Sequence, residues 1–115
     1  MPREAVAKAR SLQDSATTRL AKFFPSATPV RIPVHLTRVA PGEVFDENTV
    51  IEFGTQKEVL FCSALPLEFA DRLRVENADG SLRAEAHVVA LQYNGQRTAV
   101  AARFTHPVAN WIIKA

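Results

Sequence analysis

Residues 72–104 read RLRVENADGSLRAEAHVVALQYNGQRTAVAARF, and this stretch decides the fold. Asp79-Gly80 separates RLRVENA from SLRAEAHVVALQY, and Asn94-Gly95 separates HVVALQY from QRTAVAARF. Asp-Gly and Asn-Gly supply the positive φ angles of tight primed turns, so each joins two antiparallel strands. Upstream, VRIPVHLTRV at 30–39 alternates, with Val30, Ile32, Val34 and Leu36 on one face. Pro33 faces the other way and lacks a donor, which predicts an edge strand or one near a barrel seam. Pro41-Gly42 has turn chemistry. Further strands are expected over roughly 43–53, over 58–62 with its VLFC run, and over 71–76 with Leu73 and Val75 on one face. ALPLEF at 64–69 reads as an irregular connector. Six strands with short connections and no helix between them predict an all-β core, an antiparallel barrel or sandwich. Closure of such a small sheet removes most exposed strand edges.

The two ends read differently. Over residues 3–23, Ala5, Val6, Ala9, Leu12, Ala16, Leu20 and Phe23 fall within an arc of about 120° at helical spacing. This predicts an N-terminal amphipathic helix, stopped by Pro25. The stripe is narrow and alanine-rich, so the helix must dock on its own barrel, a second copy or another protein to be stable. PSATP at 25–29 reads as a linker. The expected organisation is therefore 1–24 helix, 25–29 linker and 30–115 barrel. The barrel's tail, HPVANWIIKA, is expected to form a short C-terminal helix opened at Pro107, with Trp111 plugging the barrel bottom.

Composition bounds the function. The chain has 115 residues, one domain's worth, and 47% are hydrophobic, which excludes wholesale disorder. No run approaches the ~18 apolar residues of a membrane span. The opening MPREAVAKAR has no apolar core of a secretory signal, so a cytoplasmic location is expected. Cys62 is the single cysteine, which excludes an internal disulfide and a cysteine-rich zinc site. The net charge of +2 divides into +5 over residues 1–40 and −3 over 41–115. The basic end suits either an anionic partner or simple solvation. Nucleic-acid binding through it, with Phe23 and Phe24 as stacking rings, is the weaker reading, because adjacent phenylalanines at a helix end more often anchor a core.

Catalytic and metal chemistry find little support. His35, His87 and His106 lack any metal-binding spacing, and Ser63, Asp71 and His87 do not form a nucleophile elbow. Glu43, Asp46 and Glu47 lack the spacing of a calcium loop and read as a solvated hairpin. Cys62, in an apolar strand, reads as a small packed side chain. No metal, cofactor or enzymatic activity is expected.

From Val30 to Lys114 the order of elements resembles the PilZ domain family. RIPV at 31–34 is similar to the opening of that family's first strand. LFCSALPLEFADRLRV at 60–75 is similar to its apolar strand, short loop and GD-x-L-x-V strand, with Ala70-Asp71 where Gly-Asp is usual. LRAEAHVV at 82–89 and TAVAARF at 98–104 resemble its fifth strand and its VGVRF ending. The resemblance implies a bacterial six-stranded antiparallel β-barrel. Many members bind cyclic di-GMP and pass that signal to motility, polysaccharide or pilus machinery.

The family's two binding motifs are incomplete here. Of R-x-x-x-R, which clamps phosphates with two guanidinium forks, the second arginine is Arg31, but Ala27 stands at the first position. Of D/N-x-S-x-x-G, the matching positions are Glu52, Gly54 and Lys57: the acid is lengthened, the hydroxyl lost, the glycine replaced. A charge-assisted hydrogen bond is worth roughly 1.5–3 kcal/mol, so these losses push a micromolar site towards millimolar. The expectation is a signalling domain with weak or lost nucleotide binding, acting through a protein partner or through self-association along the Val6–Leu12–Leu20 stripe. The competing expectation is a working receptor, with Arg31 joined by Arg38 or Lys22 as the clamp and Glu52 on the guanine.

Overall fold

The computed structural model describes residues 16–39, 44–95 and 97–113. Its elements run α1 (Ala16–Ala21), β1 (Thr28–Arg38), β2 (Phe45–Gly54), β3 (Glu58–Ser63), β4 (Arg72–Asn77), β5 (Arg83–Asn94) and β6 (Arg97–Phe104). The strands close in the order β1-β2-β3-β6-β5-β4, every pair antiparallel. The all-β core is thus a closed six-stranded barrel.

Alternation in the strands fills the interior. Val34, Leu36, Ile51, Val59, Phe61, Leu73, Val75, Val88 and Val100 point inward and are buried. Both hairpins form where the dipeptides place them, but neither is a two-residue primed turn centred on its dipeptide. Gly80 (φ 75°) follows a turn over Ala78 and Asp79 closed by Gly80 N to Asn77 O at 3.2 Å, and Gly95 (φ 66°) follows Asn94, which still pairs with Arg97 in the ladder. Pro33 pairs with Val50 on β2, and the β1–β4 ladder begins only at Val34. β1 is flanked on both sides in the closed barrel and is therefore not the edge strand that Pro33 allowed; the proline is tolerated because it lies just past the end of the β4 ladder. The Pro41-Gly42 turn, Glu43 and the helical positions before Ala16 lie outside the described residues.

A second apolar layer lies outside the barrel. Ala16 and Leu20 of α1 pack with Leu60, Ala99 and Ala101, and Phe24, Phe53 and Ala90 close around them. Alanine at 99 and 101 lets the helix sit close to β6. The helix follows the predicted stripe only as far as Ala21. There the backbone tightens into three-residue turns, with Lys22 N bonded to Arg19 O at 3.2 Å and Phe23 N to Leu20 O at 3.0 Å. This rotates Phe23 out of the stripe, so it is exposed and not a core anchor, while Phe24 turns in.

The short C-terminal helix expected over HPVANWIIKA does not form among the described residues. Residues 105–113 run as turns and bends, and the bond from Trp111 N to Val108 O is long, at 3.4 Å. Pro107 offers no donor. Trp111 instead donates its indole Nε1–H to Thr55 O at 2.6 Å, which draws the tail across the barrel mouth. Trp111 is 3% exposed and joins the main core, so it is the plug that its position predicted.

Candidate functional site

The four positions singled out from the motifs lie along one corner of the β1–β2 pair and the turn beyond it. Both strands are irregular there. The β1–β2 register shifts between Pro29 and Ile32, and the β2–β3 register between Ile51 and Phe53. Arg31 sits in the first irregularity and Glu52 in the second. Such bulges re-aim side chains and are frequent at binding sites. Arg31 is exposed, and no carboxylate among the described residues pairs with it.

Glu52 is already engaged. Thr17, fully buried on α1, donates its hydroxyl to Glu52 Oε2 at 3.1 Å, and its Oγ1 also lies 2.8 Å from Cys62 Sγ. The carboxylate therefore helps fasten the helix to the barrel wall. Cys62 faces this helix contact and is half-buried.

Gly54 is closed from the opposite side. A Cβ built there would lie 2.6 Å from Cζ2 of Trp111 and 2.8 Å from Cδ1 of Ile113, closer than side-chain atoms pack. Glycine is thus required by the plug. The serine that the PilZ motif places at this position has no room, whatever its hydroxyl contributes elsewhere.

Lys57 lies in the short turn from β2 to β3. Thr55 Oγ1 accepts hydrogen bonds from Lys57 N at 3.1 Å and Glu58 N at 2.9 Å, which fixes the turn. The neighbouring Glu58 is buried and paired: Arg103 grips its Oε2 through Nε and Nη2, each at 2.8 Å, and Thr55 donates to its Oε1. Lys57 itself is exposed, with no side-chain partner among the described residues.

Arg38, the substitute clamp, does not join Arg31. Seven residues of strand, roughly 23 Å, separate them. Arg38 pairs with Asp71 at 3.3 Å and lies over the Phe45 ring, 5.6 Å from its centre. Ala27 ends the turn after α1, its N–H bonded to Phe24 O at 2.8 Å.

The remaining candidates are structural. His35 Nδ1 bonds Asn48 Oδ1 at 2.8 Å on the exposed side of β1 and β2. Glu47 accepts bonds from the Ser63 hydroxyl and from Ala64 N, the latter at 3.1 Å, and so ties β2 to the end of β3. Among the described residues no three His, Cys, Asp or Glu side chains converge as a metal site requires. Ala70, where the family pattern has glycine, has φ of 72°. Its N–H donates to Val88 O at 2.9 Å while Val88 N donates to Asp71 O at 2.9 Å, so the left-handed turn is what delivers the chain onto β5.

The architecture is a PilZ-like β-barrel with a helix docked on its outer wall. No protein-family model and no curated protein matches the chain. Among solved structures it is similar to the inhibitor of motility MotI/DgrA of Bacillus subtilis, with a TM-score of 0.57 and 14% sequence identity. The match covers 73% of this chain and 43% of that one, so this chain spans less than half of that protein's length. At that identity the likeness is one of fold.

Proposed function

We propose that this chain is a PilZ-like signalling domain of the cytoplasm that works by protein interaction and not by catalysis, with cyclic di-GMP binding weak or lost. The observation that carries this reading is Trp111 packed against Gly54: it takes the space in which the nucleotide motif needs a serine side chain. The lone Arg31 and the engagement of Glu52 by Thr17 support it. The fold shared with an inhibitor of motility supports a regulatory role over an enzymatic one.

Calorimetric titration with cyclic di-GMP tests the reading. The expected result is no saturable heat at micromolar ligand. Ala27→Arg, which returns the second guanidinium to the turn before β1, should strengthen whatever residual binding exists by about tenfold, the worth of one charge-assisted bond. Saturable micromolar binding by the unaltered protein, lost in Arg31→Ala, would establish the working receptor instead.

A further inference from the structure

Where the C-terminal tail crosses the barrel end, it leaves a cleft of about 360 Å³. Its walls are apolar and fixed. Phe104 and Trp111 meet edge to face, with ring centres 5.2 Å apart and planes at 76°. Val108 and Ile113 of the tail complete the apolar side. The Trp111 bond to Thr55 O and the bond from Phe104 N to Lys57 O, 2.8 Å, hold both walls before anything binds. A volume near the lower limit of small-molecule sites suits a compact ligand, and preformed walls spare it the cost of ordering the protein.

The polar side of the cleft is one-sided in charge. Lys57, Gln56 and His106 line it, and no carboxylate does among the described residues. The nearest acid in sequence, Glu58, is held by Arg103 and Thr55. Lys57, whose ammonium has no partner among the described residues, lines the same cleft as the two aromatic rings, which matches a molecule with a single anionic head and an apolar body. We infer that the cleft between Lys57 and the Trp111–Phe104 pair is a binding site for a small amphipathic carboxylate. The cleft shares Lys57 and Trp111 with the corner that the nucleotide motif would occupy but does not include Arg31, so Arg31→Ala separates the two readings.

Trp111 is the chain's single tryptophan and reports occupancy directly. Octanoate serves as the probe and octan-1-ol as its uncharged counterpart, with calorimetry alongside tryptophan emission. Octanoate should change the emission saturably below millimolar concentration, and octan-1-ol should bind about tenfold more weakly. Lys57→Met, at an exposed turn position, should erase the preference for the carboxylate while leaving the alcohol's affinity unchanged. Val108→Phe should weaken both ligands by filling the cleft, and Arg31→Ala should weaken neither. The inference is overturned by the absence of saturable binding at millimolar octanoate, by equal affinity for the alcohol, or by a carboxylate preference that survives Lys57→Met.

Discussion

Two walls of the same barrel are built on different rules. In β4, Arg72 and Arg74 are exposed while Leu73 and Val75 are buried, the alternation of a sheet with one wet face. In β6, Ala99, Val100, Ala101 and Ala102 are buried in unbroken succession, and in β3 Glu58, Val59, Leu60 and Phe61 are as well. The difference is α1. Inward residues of β3 and β6 meet the barrel core, and the outward ones, Leu60, Ala99 and Ala101, meet Ala16 and Leu20 of the helix. A continuous apolar run in a small antiparallel barrel thus marks the wall that carries a second layer. On the wet wall, the outward positions are laced by charge: Arg72 pairs with Glu85 at 2.7 Å and Arg83 with Glu76 at 3.6 Å.

The largest test of this contrast changes the charge on each wall's outer face. Ala99→Asp buries a carboxylate beneath α1 and should cost at least about 3 kcal/mol, read from the midpoint and slope of urea unfolding. Arg74→Ala, outward on the wet wall, should change stability by no more than ~0.5 kcal/mol. Equal losses at the two positions would mean that α1 does not cover β6.

A smaller effect sharpens the comparison where the wet wall begins. Ala70 holds a φ of 72°, which crowds its Cβ against the backbone. Ala70→Gly should relieve this and raise stability by about 0.5–1 kcal/mol, net of the freedom that glycine adds to the unfolded chain. A loss of stability in thermal unfolding would refute the strain. The family pattern's glycine before the aspartate has its physical reason in this turn, which must swing Asp71 and Val88 into register.

The smallest effect is electrostatic. The hydrogen bond from Arg72, and then its charge, hold the Glu85 carboxyl below the usual carboxylate range. A depressed folded value means that the pair contributes above the ordinary carboxylate pKa and stops contributing as pH falls through the folded value. Arg72→Gln should therefore be slightly less stable than the unaltered protein near neutral pH, with the difference vanishing in acid and shrinking in high salt. A difference that persisted at low pH would point to packing by the arginine stem instead.

The site was less legible than the barrel. Arg31 and Glu52 could be placed on adjacent strands from their motif positions, but not on the bulges that re-aim them, because a bulge is a mismatch between two strands and the pattern of one strand does not show its partner's register. The Thr17–Glu52 bond joins positions 35 residues apart, and the bond from Trp111 to Thr55 joins positions 56 apart. Neither spacing has a periodicity to announce it. Cys62 was legible as a packed cysteine, but not its contact with Thr17, 2.8 Å away.

Local chemistry by itself determined the strands, the places of the two hairpins and the barrel's interior face, since alternation and the turn preference of Asp-Gly and Asn-Gly act over a few residues whatever surrounds them. Tertiary structure decided where the helix docks, why Gly54 must remain glycine, and why the tail crosses the mouth instead of coiling. Each of these depends on a steric or hydrogen-bonding match between segments distant in the chain, and such a match exists only once the barrel has closed.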